Sequence, residues 1–573
     1  MESGRISGWM QSVRRFRRYF PLVAAVCAVL PFLPSLGYGF LYEWDDANFI
    51  LDNPYIGMSW ANLLHNFTTN LQTVYTPLTT FSLMIDHALF GTWAPGYHAV
   101  QLLMLGGCAA LLFLILRKLR VPASAALLLT LLWAWNPGKC ETAAWIADRK
   151  GMGCTLFALA AFLSFLRDCR REKAGAGTVL LMFAAFLFKP SALPLPGVMA
   201  LYAWCRFPGE WGKLFRLLWP VGAAGIAGGA LVSAMTFSEL SGSHASGIAD
   251  AANLLRYFGG AVWPFSLNPI HPRLTLPEML PELLWAAAVL AAVIWAGRKS
   301  RVPGRFQMAF ATGFVFLALP LLSSGALTNS NYAERYNFLL SAAAWCWIGV
   351  AGRGLFRRLP RVSAWAAGIL LAGYLLTDWF YLETFSDTRL LFGRAAAVEN
   401  PAQRALEGLG EVAINRQLPE LLYETGELFN RASSRQEPPR DAQFRNTAVL
   451  LAAHARLMAG MAATAEELAG VLRSNGRDAF VAPEIFLPPA YSLAAGKLAA
   501  VGKAPEAAAL LEKQVADGSG VEFQLHFAAG LAGYFSGDRE RAAREWRRVL
   551  ELKPRDGQTR RNLELVEAQL GSQ

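Results

Sequence analysis

Eleven apolar stretches, most divided by short turns rich in Arg and Lys or by longer polar loops, constrain this chain more than any single motif. They lie near 20–38, 98–116, 122–136, 152–166, 177–189, 191–205, 217–236, 282–297, 306–322, 336–352 and 362–382. A segment that is apolar all round must be buried on every side and must satisfy its own backbone, and helices in a bilayer do both. With 54% of its 573 residues hydrophobic, the chain is expected to be all-α. A polytopic helical membrane domain of about eleven transmembrane helices (1–383) would precede a soluble helical domain (384–573). Two further apolar stretches, near 77–90 and 251–266, are expected to be interfacial or re-entrant, because counting either as a span inverts every later basic loop.

The net charge of +11 belongs to the membrane half, since from Thr384 onward 23 Lys and Arg face 24 Asp and Glu. No nucleic-acid partner is therefore expected. The loops assigned inside carry 23 basic residues and those assigned outside only seven: Lys139, Arg149, Lys150, Lys189, Arg256, Arg273 and Arg335. That asymmetry predicts a multi-pass protein of a bacterial inner membrane, amino terminus cytoplasmic and carboxyl-terminal domain periplasmic. The basic cluster Arg14-Arg15-Phe16-Arg17-Arg18 precedes an apolar segment without a good small-residue cleavage site, so the segment reads as a retained span. The seven cysteines lie in or beside apolar runs with no CxxC or metal-ligand spacing, and read as small apolar fillers.

Beyond about Glu383 the spans give way to Ala-, Leu-, Glu- and Arg-rich segments of helical period. From Phe523 to Pro554, the spacing of Gly530, Gly537, Ala542, Trp546 and Pro554 matches a tetratricopeptide repeat (TPR). Gly502 and Ala507 suggest a degenerate repeat before it. An irregular helical domain is the alternative.

Two adjacent carboxylates, Asp45 and Asp46, follow the first span in a loop that has no Lys or Arg between Leu41 and His98. Acid at a membrane face is costly without a partner or a task. Four other outer-face groups carry polar residues against the prevailing bias. They are Asn136-Pro137-Gly138-Lys139-Cys140-Glu141 with Trp145-Ile146-Ala147-Asp148-Arg149-Lys150; Phe188-Lys189-Pro190; Trp263-Pro264-Phe265-Ser266-Leu267-Asn268-Pro269; and Asn331-Tyr332-Ala333-Glu334-Arg335-Tyr336. Glycosyl transfer from a lipid-phosphate donor needs a carboxylate to take the acceptor's proton, cations to stabilise the departing phosphate, and an apolar groove for the lipid. Each group also has a structural alternative. Asp45 or Asp46 fits a helix cap, Arg149 and Lys150 fit snorkelling side chains at a helix end, and Glu334-Arg335 fits an internal ion pair. His98 and His271 are lone histidines of the kind that is usually structural. An adjacent carboxylate pair also suits a divalent cation, but no further metal-ligand cluster supports one, so metal dependence stays open.

In order, Trp44-Asp45-Asp46…Asn53-Pro54, Tyr75-Thr76-Pro77-Leu78-Thr79, Leu89-Phe90-Gly91…Gly96-Tyr97-His98 and Glu141-Thr142-Ala143…Asp148-Arg149-Lys150-Gly151, then Phe188-Lys189, Trp263-Pro264-Phe265 and Ala333-Glu334-Arg335-Tyr336 form a series. The series resembles the transmembrane and TPR O-mannosyltransferases and their bacterial relatives, of the GT-C superfamily of membrane glycosyltransferases. The resemblance implies that Asp45 or Asp46 is the catalytic base, with Asp46 slightly preferred. It implies that Arg149, Lys150, Lys189 and Arg335 surround the donor phosphate. Glu141 and Glu334 would orient those cations, with Tyr75 and Tyr336 in support. One departure is Lys189-Pro190, where relatives tend to carry Lys-Glu. Another is the short repeat domain. The expected activity is inverting transfer of a sugar from a polyprenyl-phosphate donor to a protein Ser/Thr hydroxyl, with lipid or glycan acceptors second. The expected partners are the donor, the acceptor and membrane lipids. The alternatives are a membrane-anchored scaffold without catalysis and a transporter, which would carry charges within its spans.

Overall fold

The computed structural model describes residues 19–571 except 72–73, 237–247, 324–331, 437, 462–463 and 555. The basic cluster at 14–18 and Asn331 lie outside the described residues. The chain divides into two compact units, Met1–Arg394 and Ala395–Gln573. Both are built from helices, and no strand longer than an isolated bridge occurs among the described residues.

Among the described residues, eight helices of the first unit are long and apolar enough to cross a membrane: Phe20–Gly37, Ala94–Lys118, Ile146–Arg171, Trp211–Met235, Leu276–Lys299, Gly304–Leu321, Glu334–Arg358 and Pro360–Phe385. The all-α polytopic fold expected from the sequence is thus observed. The three other apolar stretches are also helices, Ala123–Ala134, Ala176–Phe188 and Leu195–Arg206, but only 12, 13 and 12 residues long. At 1.5 Å per residue they reach about 18–20 Å, short of a hydrocarbon core of about 30 Å. Each is apolar enough to belong inside the bundle and too short to cross by itself. The stretches near 77–90 and 251–266 form the 14-residue helix Pro77–Phe90 and part of the 13-residue helix Ile248–Gly260.

Direction along the bundle is written in the helix ends. Ala94–Lys118, Arg149–Arg171, Leu276–Lys299 and Asn337–Arg358 each finish on two basic residues. Cations there complement the C-terminal end of the helix dipole and gather at one end of the bundle. The motif residues all cluster at the opposite end, where these four helices begin.

Two devices shape that end. The connection between Ala123–Ala134 and Arg149–Arg171 is folded inward, and all fourteen residues from Asn136 to Arg149 are buried. Backbone so placed must find internal partners, and Asn136 supplies some. Its Oδ1 accepts from Gly138 N at 3.1 Å, while its Nδ2 donates to the carbonyls of Gly260 and Ala261 at 3.1 and 3.2 Å. The second device is Gly153. A Cβ there would stand 2.2 Å from Phe188 Cδ1, so only glycine lets the Phe188 ring lie against this helix. Phe188 immediately precedes Lys189, and its carbonyl accepts the Thr79 hydroxyl at 2.9 Å.

The second unit is a run of antiparallel helix pairs. The segment expected to be a repeat folds as a helical hairpin, Glu522–Ser536 and Arg539–Leu552, turning at Gly537 with φ +89°. Asp538 caps the second helix through Arg541 N at 2.9 Å. Trp546 is buried against the first helix, where Gly530 makes room for it.

Candidate active site

The acidic step divides its labour. Asp46 is 1% exposed, and each carboxylate oxygen is taken by a backbone donor: Leu41 N reaches Oδ2 at 2.9 Å and Ala147 N reaches Oδ1 at 2.8 Å. It therefore fastens the acidic loop to the turn that starts the Ile146–Arg171 helix. Burial raises its pKa to about 7, against the pull of those two N–H groups. Asp45 faces the other way. Its side chain is 28% exposed and its Oδ2 lies 3.1 Å from Lys150 Nζ. Beside them, Trp44 packs on Trp145 and Phe392.

Two aromatic rings then hold three cations near one another. Lys150 Nζ and the Arg335 guanidinium lie 5.3 and 5.6 Å from the centroid of the Trp145 ring. Arg335 and Lys189 lie 5.0 and 5.2 Å from that of Tyr336. Like charges this close repel, and ring faces together with carboxylates offset the repulsion. Glu141 grips Arg335 twice, accepting from Nη1 at 2.6 Å and from its backbone N at 2.9 Å. Burial pushes the Glu141 carboxyl upward against the pull of Arg335. Lys189 Nζ lies 3.5 Å from Asp148 Oδ1, so Asp148 supplies the carboxylate that the Lys189-Pro190 step lacks. Thr142 orients Asp148 by donating to Oδ2 at 2.7 Å.

Three expected members stand elsewhere. Arg149 is fully buried and turned into the core, with Nη1 at 2.5 Å from Asp86 Oδ2, Nε at 3.0 Å from Gln101 Oε1 and Nη2 at 2.9 Å from the Tyr97 carbonyl. Each of its three guanidinium nitrogens has a protein acceptor. Glu334 does not hold Arg335; its Oε1 accepts from His271 Nε2 at 2.6 Å and from Asn268 N at 3.3 Å. Tyr75 donates to the Phe67 carbonyl at 2.8 Å and stabilises the loop, not the cation group. Asp86 escaped the sequence analysis because it sits inside an apolar helix 63 residues before its partner. His271, read as structural, is the partner that Glu334 needed.

Within the bundle lies an apolar groove lined by Leu159 and Phe162, Leu195, Phe310 and Phe314; it runs from Leu339, three residues beyond Tyr336, to Ile115 and Phe306 near the basic helix ends. Among the described residues no group of three or more His, Cys, Asp or Glu is arranged to hold a metal, and all seven cysteines are free.

No family model matches the sequence. Curated relatives do. The chain is 28% identical over 193 residues to protein O-mannosyl-transferase Tmtc2 of Drosophila melanogaster, covering 30% of this chain and 20% of that one. It is 25% identical over 190 residues to protein O-mannosyl-transferase F38B6.6 of Caenorhabditis elegans, covering 30% and 26%. It is 26% identical over 197 residues to protein O-mannosyl-transferase TMTC2 of Mus musculus, covering 32% and 23%. The resemblance drawn from the motifs is borne out. The matched part spans only a fifth to about a quarter of the length of these relatives.

Proposed function

We propose that the chain is an inverting glycosyltransferase of the GT-C type. It moves a sugar from a polyprenyl-phosphate donor to a Ser/Thr hydroxyl of a protein, on the outer face of the membrane where its carboxyl-terminal TPR-like domain lies. The supporting observation is that Asp45 stands beside Lys150 while two rings tie Lys150, Arg335 and Lys189 into one group, in a helix bundle that also holds an apolar groove. The names of the relatives support a protein acceptor.

In this reading Asp45 is the base, because Asp46 has both oxygens occupied. The Asp45 carboxylate takes the proton of the acceptor hydroxyl as that oxygen attacks the anomeric carbon from the face opposite the phosphate. The bond between the anomeric carbon and the phosphate oxygen breaks, and configuration inverts. Charge growing on the departing phosphate is met by Lys189, Arg335 and Lys150, held in place beforehand by Asp148, Glu141 and the two rings. The groove takes the apolar chain of the donor, and helical repeats suit an extended acceptor.

The test is glycopeptide mass spectrometry on cells carrying Asp45→Asn or the natural protein. Asp45→Asn is expected to abolish transfer with unchanged expression and melting. Normal glycosylation by this variant would remove Asp45 from the mechanism.

A further inference from the structure

Beside the Asp45 loop lies a small polar cleft, partly open to the surface. Its lining includes Asn53, Asn66, Asn70, Thr69, Thr76 and Thr80 and, among the described residues, no Asp, Glu, Lys or Arg. One wall is a flat stack, Tyr55 on His65, with ring centroids 3.6 Å apart and planes 21° from parallel. Asn53 is part of the frame, since its Nδ2 donates to the Phe49 carbonyl and its Oδ1 accepts from Tyr55 N. Asn66 spends its Nδ2 on the Pro77 carbonyl. Asn70 Oδ1 is buried with no hydrogen-bond partner. A buried amide oxygen left bare is costly, so this one calls for a donor from outside.

The cleft is tied to the proposed reaction centre from both sides. On one side, the Phe49 backbone that holds Asn53 carries a ring 5.0 Å from Lys150 Nζ, the partner of Asp45. On the other, Thr80 follows Thr79, whose hydroxyl holds the Phe188 carbonyl just before Lys189. The same backbone segments thus frame the cleft and the proposed reaction centre.

We infer that this cleft is the acceptor subsite, and that it takes an extended, uncharged peptide segment around the acceptor Ser or Thr. The inference rests on the transferase reading above. Side-chain amide and hydroxyl groups match the alternating N–H and C=O of a peptide backbone, and a backbone N–H is the donor that Asn70 Oδ1 lacks. With no countercharge in the lining, a charged flanking residue would lose its hydration without a partner. The site therefore selects acceptors by the neutrality of the residues next to the hydroxyl.

The test is direct binding to the purified full-length protein in detergent, read by fluorescence anisotropy. The probes are a short capped peptide of Ala, Gly, Ser and Thr, the same peptide with Asp on both sides of the Thr, and a neutral oligosaccharide. The uncharged peptide is expected to bind at least about tenfold tighter than the Asp-flanked one. Thr80→Val, which keeps shape and removes the hydroxyl, is expected to weaken the uncharged peptide several-fold without lowering the melting temperature. Thr69→Lys, at a half-buried position of the lining, is expected to reverse the preference toward the Asp-flanked peptide, a gain that misfolding cannot mimic. Equal binding of both peptides, binding of the oligosaccharide alone, or indifference to both substitutions would overturn the inference. Peptide binding that follows these expectations in a protein that never transfers sugar would overturn the transferase reading and leave the cleft as a peptide site.

Discussion

Arg149 offers the sharpest test of the division between scaffold and reaction centre. The motif resemblance implies a donor-phosphate ligand, whereas the structure shows a fully buried guanidinium with three protein partners. Arg149→Met leaves the Asp86 carboxylate alone in a site where it is only 4% exposed. Asp86→Leu leaves the guanidinium alone. Removing one member of a buried pair costs about 3–5 kcal/mol, because the survivor keeps its desolvation penalty. The double variant removes both charges and orphans only the Gln101 and Tyr97 oxygens, at about 1–3 kcal/mol. The double variant is therefore expected to be more stable than either single variant, a non-additivity of several kcal/mol that distant, independent sites do not show. Unfolding curves in detergent measure all four corners of the cycle. The KM for the donor lipid, measured on whichever variants stay folded, should be close to that of the natural protein. Arg149→Met with unchanged stability and a donor KM raised tenfold or more would refute the assignment and return Arg149 to the phosphate.

Lys189→Met removes one cation from the proposed phosphate site and no buried partner except Asp148. A charge-assisted contact of about 1.5–3 kcal/mol corresponds to a fall of roughly 10- to 100-fold in kcat/KM, measured with varied donor lipid. The pH dependence of stability has a calculable sign. Asp46 is raised from 3.8 to about 7, so between those values the folded state holds a proton that the unfolded state has released, and stability falls as pH rises through that window. Lys139, 0% exposed and lowered from 10.5 to about 7 by burial, works in reverse: the unfolded state binds the extra proton, so stability rises from pH 7 toward 10. Lys139→Met should flatten the alkaline rise in a pH series of melting temperatures. In the second unit, Gly530→Ala places a Cβ 2.3 Å from Trp546 Nε1 and should cost about 1–3 kcal/mol, read by circular dichroism.

The legible parts of the sequence were those governed by local chemistry. Hydropathy located every apolar helix, because a lipid-facing helix must be apolar along its own length. It overstated how many reach across, since a run of apolar residues looks alike whether it faces lipid or other helices. The proximity of Asp45, Lys150, Lys189 and Arg335 was foreshadowed by charges held against the topological bias. The partner of each charge was not. Glu334 and Arg335 are neighbours in sequence, yet one turns to His271 and the other to Glu141. Adjacent residues in a tight helical turn point in different directions, so adjacency says little about pairing. Asp148 replaces the carboxylate missing at residue 190 for the same reason: the position is set in space by Gly153 and Phe188, not by sequence spacing.

The inward-folded connection from Asn136 to Arg149 has a practical consequence. Links between neighbouring membrane helices are commonly where a protease cuts, where an epitope tag is tolerated and where exchange with solvent is fast. This one presents no surface for any of these, although most of it lies outside any long helix. In the proposed reading it is the fixed floor of the site, an anvil that carries Glu141, Trp145 and Asp148. Cysteines substituted within 136–149 are therefore expected to resist thiol reagents until the protein unfolds.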